Sequence, residues 1–137
     1  MLALLYAVAG AFHLAQPEPF LRIVPEFVPM PETVVLLTGM AELVGAAALV
    51  QPWSPAVRRA SGWSLALYAL SVWPANMNHL LIDLARPDGG WGLRYHIPRL
   101  LAQPLLIWLA LWTSGVTEWP FRARPEPALP DSALPGA

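Results

Sequence analysis

Cysteine and lysine are both absent from the 137-residue chain. Without cysteine there is no disulfide, thiolate metal site, cysteine-bound iron–sulfur cluster or thiol nucleophile, so any redox chemistry would need a borrowed cofactor. Without lysine, all 8 basic residues are arginines; set against 9 acidic residues they give a formal net charge of -1. No basic field exists to hold a phosphate backbone, and nucleic acid is not an expected partner. Charge of either sign is scarce: 12% of the chain is charged and 56% apolar, about half the usual charged share. That balance argues against an ordinary soluble domain, although the length is that of one domain. The 16 prolines and 9 glycines exclude long unbroken coils and suit several hydrophobic helices with sharp stops.

Long apolar stretches organise what remains, because a helix crossing the ~30 Å hydrocarbon layer needs about 20 mostly apolar residues. Four are expected, at about residues 1–15, 32–50, 56–84 and 98–116. The first would reach only ~22 Å at 1.5 Å per residue, which asks for a thinned membrane or further residues upstream. A signal peptide fits less well, since no positive segment precedes the apolar run and no small-residue cleavage site follows it. Pro31 suits a first helical position. Pro74 should kink the third helix and free a carbonyl one turn earlier. Trp53, Trp91 and Trp119 fall at predicted helix ends, where indole rings favour the headgroup layer.

The expected fold is therefore all-α, an integral membrane four-helix bundle over residues 1–119, followed by a disordered proline-rich tail over 120–137. Four crossings place both termini on one side with Arg58, Arg59, Arg122 and Arg124, and leave Arg22, Arg86, Arg94 and Arg99 on the other. The arginine pair in a short loop favours the cytoplasmic side for the termini, in a plasma membrane of bacterial type.

Polar residues inside such helices are expensive, so their positions carry information. Glu42 lies mid-span on a face shared with Gly39, Ala46 and Gly45, small residues that allow close helix approach. His13 lies one turn before the first helix ends, on a face with Tyr6 and Gly10. Asn76, His79 and Asp83 share one face of the third helix, where Asp83 is near enough to the end to be solvated. Arg99 and Gln103 share a face of the fourth. Counting from each boundary places His13, Asn76, His79, Arg99 and Gln103 in one half of the membrane, with Glu42 at the midplane. Pointed inward, they would line a polar pocket; pointed at one another, they would only fix helix register. Glu42 and Arg99 are the charges expected inside the bundle, and a buried pair requires the arginine to reach inward rather than snorkel.

Metal and haem are not expected. His79 and Asp83 with His13 would make two imidazoles and a carboxylate, but no spacing as specific as HExxH supports it. A bis-imidazole haem lacks any other pocket signal. Gly89–Gly90 lacks a following Lys-Ser/Thr and reads as a turn rather than a nucleotide loop.

Several segments together resemble one family. Gly10-Ala11-Phe12-His13 followed by Pro17, Pro19-Phe20, Ile23-Val24-Pro25 and Pro29 resembles the opening of DoxX-like membrane proteins. Thr38-Gly39 with Glu42 and Gly45 is similar to their Ser-Gly-x-x-Glu motif, with Thr38 for the serine. Pro52, Arg58 and Ala60 match the following turn, Pro74-Ala75-Asn76 the Pro-Ala-Asn motif, and Arg99-Leu100, Gln103, Leu106-Ile107 and Ala110 the last motif. There Leu101-Ala102 replace a Pro-Leu pair, and His79 lies outside the pattern. The resemblance covers residues 9 to 110 and implies a four-helix membrane protein, an accessory of redox enzymes or an assembly factor for membrane receptors.

The motif positions His13, Glu42, Asn76, Arg99 and Gln103 coincide with the polar positions singled out by membrane cost, and form the expected ligand site, with His79 and Asp83 as extra candidates. The expected function is to hold a small lipophilic ligand with a polar head, a quinone or lipid, beside a membrane redox partner or in a homo-oligomer. No covalently bound cofactor and no independent catalysis is expected; if there is activity, it is that of a quinone-linked oxidoreductase accessory. The rival is a noncatalytic assembly or stabilising factor packed on a larger membrane protein.

Overall fold

The computed structural model describes residues 1–119, so the expected disordered tail lies outside the described residues. Those residues are all-helical, with no strand among them. Six helices follow in order: α1 (Leu2–Ala15), α2 (Glu18–Leu21), α3 (Pro31–Val50), α4 (Pro55–Ser71), α5 (Trp73–Ala85) and α6 (Leu93–Thr113).

Local chemistry explains most boundaries. Pro31 and Pro55 stand in the first turns of α3 and α4, where the missing N–H costs nothing. Ser54 caps α4 by accepting from the Val57 N–H. Gln51 closes the turn between them, donating to the Ser54 carbonyl at 2.7 Å and accepting from the Ser54 N–H at 2.8 Å.

Two boundaries differ from the sequence expectation. The expected helix over 56–84 is divided at Val72 into α4 and α5, because Pro74 cannot donate to the turn before it and instead opens a new helix. The helix expected to start near Pro98 starts at Leu93 and carries Pro98 and Pro104 inside it. Pro98 withholds a donor from the Arg94 carbonyl, and Arg94 is exposed, so surroundings can satisfy it. The short helix α2, one turn inside the connector between α1 and α3, has no counterpart among the expected helices.

α1 packs on α3, α3 on α4, and α4 on α6, with α5 against α6. A small residue sits at each of the three main crossings. A Cβ at Gly10 on α1 would come within 2.7 Å of the Gly39 carbonyl on α3. One at Gly45 would come within 2.6 Å of Leu65 on α4, where Ser61 also donates to the Gly45 carbonyl at 2.8 Å. One at Gly62 would collide with Ser114 at the end of α6. Small residues let helices touch backbone to backbone.

The interior is polar for its size. Buried residues include Glu42, Gln51, Ser61, Asn76, Asp83, His96, Gln103 and Ser114 beside the apolar Tyr6, Val35, Ala46, Leu65, Ala66, Ala69 and Ala110. The outer faces run the other way: Leu4, Val8, Phe12, Leu36, Leu37, Met40, Val44, Trp63, Leu67 and Leu101 are all exposed. Among the described helices one, Pro31–Val50, is both long and apolar enough to cross a membrane, and less than a third of its most apolar window is buried; Leu2–Ala15 is a shorter apolar helix.

Candidate functional site: a cavity with unspent hydrogen bonds

The closeness of Gly10 and Gly39 fixes the first wall of the site. A Cβ at Gly39 would come within 2.7 Å of the His13 Cβ, so the bare backbone there brings His13 of α1 against Glu42, one turn further along α3. The His13 Nδ1 lies 2.7 Å from Glu42 Oε2. The same Nδ1 is also 3.1 Å from the Ala9 carbonyl, so one imidazole nitrogen stands between the carboxylate and its own helix's carbonyl. The other carboxylate oxygen, Oε1, accepts from the Tyr68 hydroxyl of α4 at 2.8 Å. Phe20 of α2 stacks on the His13 ring with centroids 3.7 Å apart, so this extra turn acts as a lid on the imidazole.

Between this wall and α5–α6 lies a cavity of about 430 Å³. Apolar residues line most of it, among them Leu5, Phe27, Val34, Val35 and Leu106, and its polar groups are Tyr6, His13, Thr38, Glu42, Tyr68, Ser71, Asn76, Arg99 and Gln103. All five residues of the expected ligand site therefore face one cavity. Their state is unusual for buried groups. Asn76 is 8% exposed and Gln103 4%, and neither side-chain amide makes a hydrogen bond among the described residues. The Tyr6 hydroxyl, on a residue 2% exposed, is also buried without a hydrogen-bond partner. A fully buried polar group with no partner costs about 1–3 kcal/mol; the Tyr6 hydroxyl is one, and the two amides beside the same cavity leave hydrogen bonds free for a ligand's polar atoms.

Arg99 is not paired with Glu42. The arginine does not make the inward reach that such a pair requires: Glu42 is held by Tyr68 and His13, while Arg99 NH1 donates to His79 Nδ1 at 2.6 Å and its guanidinium lies 5.7 Å over the Tyr95 ring. Glu42 meets nearer groups across the glycine crossing, and α6, which packs on α4 and α5, keeps Arg99 beside the latter.

The two extra candidates belong to a second cluster at the α5–α6 end. Asp83 is 3% exposed rather than solvated, because the connector folds back over it. Its Oδ2 accepts from the Trp91 N–H at 2.8 Å and from His96 Nε2 at 2.9 Å, and lies 3.8 Å from His79 Nε2. Gly89, Gly90 and Gly92 all have positive φ, and a Cβ at Gly90 would collide with the Asp83 carboxyl, so only glycine lets the loop lie this close. At the loop's outer edge Asp88 takes two hydrogen bonds from Arg86, at 2.7 and 2.8 Å, and one from the Gly90 N–H. The arginine first, then the backbone N–H, hold the Asp88 carboxyl well below the usual carboxylate range.

His13 stands apart from this cluster; the third member is His96, 1% exposed. A helix start at Pro98, as the sequence reading has it, leaves His96 in a connector and hides its role. A signal exists nonetheless: His96, Arg99 and Gln103 are spaced i, i+3 and i+7, one face of a longer helix. Tyr68 carries no such signal, since a tyrosine in an apolar helix is unremarkable until a carboxylate lies across from its hydroxyl.

No curated protein and no solved structure matches the chain. A family model does, over residues 2–114, a span that takes in every residue of both clusters. The chain belongs to the family described as Domain of unknown function (DUF8561).

Proposed function

We propose that the protein is a four-pass integral membrane protein that holds one small lipophilic molecule with a polar head, a quinone or lipid, in the cavity between α1–α3 and α5–α6. The observation that carries this reading is the Tyr6 hydroxyl and the Asn76 and Gln103 amides, without hydrogen-bond partners among the described residues, around an otherwise apolar space of about 430 Å³. An apolar body suits the walls and a head with carbonyl or hydroxyl oxygens answers the amides, the hydroxyl and the carboxylate.

The membrane setting rests on the inverted distribution of side chains. Exposed leucines, valines and aromatics cover several helices while carboxylates, amides and imidazoles occupy the interior, an arrangement that water disfavours and lipid favours. In the passes α1, α3, α4–α5 and α6, the 21 residues of α6 reach ~31 Å and the 14 of α1 only ~21 Å at 1.5 Å per residue. The resemblance to DoxX-like proteins supports the same reading, including a place beside a redox partner and a plasma-membrane location with cytoplasmic termini.

Mass spectrometry of the protein purified in mild detergent tests it. The expected result is a stoichiometric quinone or lipid that is lost from the Asn76→Leu/Gln103→Leu double variant. A ligand-free chain bound instead to a large protein partner would support the assembly-factor role and overturn the ligand reading.

A further inference from the structure

The second cluster has no share in the cavity's lining, apart from its link through Arg99, and its chemistry is different. His79 and Asp83 are one turn apart on α5 and His96 faces them from α6; one donor atom from each lies within 4.8 Å of the other two. Two of these separations are 2.9 Å (Asp83 Oδ2 to His96 Nε2) and 3.8 Å (Asp83 Oδ2 to His79 Nε2). Ligands at 2.0–2.1 Å around a tetrahedral ion stand roughly 3.3 Å from one another, a value these two carboxylate–imidazole distances bracket; the two imidazole nitrogens, within 4.8 Å of each other, have to stand within about 4.1 Å for one ion to reach both. Asp83 and His96 are buried, with side-chain exposures of 4% and 1%, and His79 is partly exposed at 17%. Asp83 is oriented from outside by the Trp91 N–H, as an outer hydrogen bond orients a metal-bound carboxylate. His96 gives its Nε2–H to Asp83 and keeps Nδ1 buried without a partner; an ion at Nε2 takes the place of that proton, which moves to Nδ1.

We propose that His79, Asp83 and His96 form a binding site for a borderline divalent transition-metal ion of the zinc class, taken up through His79 Nε2, Asp83 Oδ2 and His96 Nε2. Two imidazoles and one carboxylate select such an ion over magnesium or calcium, which prefer all-oxygen shells. Arg99 is the feature that opposes the ion and makes the site conditional. A guanidinium can only donate, so its bond to His79 Nδ1 requires a lone pair there and leaves the neutral ring's proton on Nε2. An ion at Nε2 takes that position and moves the proton to Nδ1, where it faces the Arg99 N–H. The arginine must then swing away, and the adjoining cavity, which it already lines, gives it room. Removing this competing donor should tighten metal binding, whereas a purely structural hydrogen-bonded clasp gives no reason for an ion to bind more tightly.

The test is a titration of the metal-stripped full chain in detergent with Zn2+ alone, with Co2+ as the spectroscopic probe. One ion per chain and a tetrahedral Co2+ d–d band are expected. His96→Gln should weaken Zn2+ binding by more than about a hundredfold, beyond the 10- to 100-fold loss usual for an outer partner, and Arg99→Gln, which offers His79 Nδ1–H an acceptor, should tighten it by about tenfold. His13→Gln should leave the affinity unchanged. Substoichiometric binding, an affinity indifferent to His96→Gln, equal loss on His13→Gln, or weakening by Arg99→Gln would each overturn the site. If His96→Gln fails to fold, zinc-edge X-ray absorption on the unaltered chain decides: two imidazole nitrogens support the site and an all-oxygen shell overturns it.

Discussion

The two polar clusters use similar residues to opposite ends. The cavity around Glu42 has volume, apolar walls and, at Tyr6, Asn76 and Gln103, polar groups whose hydrogen bonds are unspent. The cluster around Asp83 gathers donor atoms within 4.8 Å, under a glycine loop that spends its Trp91 N–H on the carboxylate. A carboxylate with an imidazole beside it therefore does not define a chemistry by itself. Space and unfilled donors suit an organic molecule, while convergence without space suits a proton or an ion.

The largest effect that would sharpen this contrast comes from the α1–α3 crossing. Gly39→Val places side-chain atoms where even a Cβ meets His13; it should destabilise the chain by about 1–3 kcal/mol or more and separate His13 from Glu42. Ligand recovery should fall in this variant while Co2+ binding persists, as read by mass spectrometry and absorption. Loss of both together would mean that the clusters are one site.

Next, His96→Phe keeps a ring but takes a donor from Asp83. A cost of about 1–3 kcal/mol is expected in denaturant or thermal unfolding, and a neutral result would show that the 2.9 Å contact contributes little. The cavity predicts the reverse sign. Gln103→Met exchanges an amide that has no partner for an apolar side chain of like size, so stability should hold or rise by up to about 1 kcal/mol while copurifying ligand declines. Clear destabilisation would show that the amide is satisfied in the unliganded chain and break the contrast.

The smallest effect belongs to Asp88→Asn at the exposed loop edge. Its carboxyl is depressed by Arg86 and Gly90, so what it adds to stability is present above the unfolded carboxylate value of about 3.9 and lost as pH falls through the folded value. The melting difference from the unaltered chain should be small, constant over about pH 5 to 8, and vanish in stronger acid; a difference that grows on acidification would contradict this assignment.

Glu42, Asn76, Arg99 and Gln103 are legible in the amino-acid sequence because each violates its surroundings. A glutamate at mid-helix, an asparagine beside a proline, and an arginine and a glutamine in an apolar run all stand out against their neighbours. Helical periodicity then supplies the face on which each lies. The helix classes are legible for the same reason, and the interruptions at Val72 and before Leu93 are not, because a proline marks a disturbance without saying whether the chain breaks there or carries it inside a helix.

Composition and periodicity by themselves determined that the chain is helical, nearly free of charge outside a few positions, and polar on inward faces. Partnership was decided only in three dimensions. Glu42 takes His13 because backbone contact between Gly10 and Gly39 sets α1 against α3, and takes Tyr68 from α4, while Arg99 is engaged by His79. Asp83 takes His96 because three glycines at positive φ fold the loop over it and start α6 early enough to carry that histidine inward. Periodicity fixes direction around one helix axis; the distance between axes, which selects the partner, depends on how closely backbones approach and where loops return.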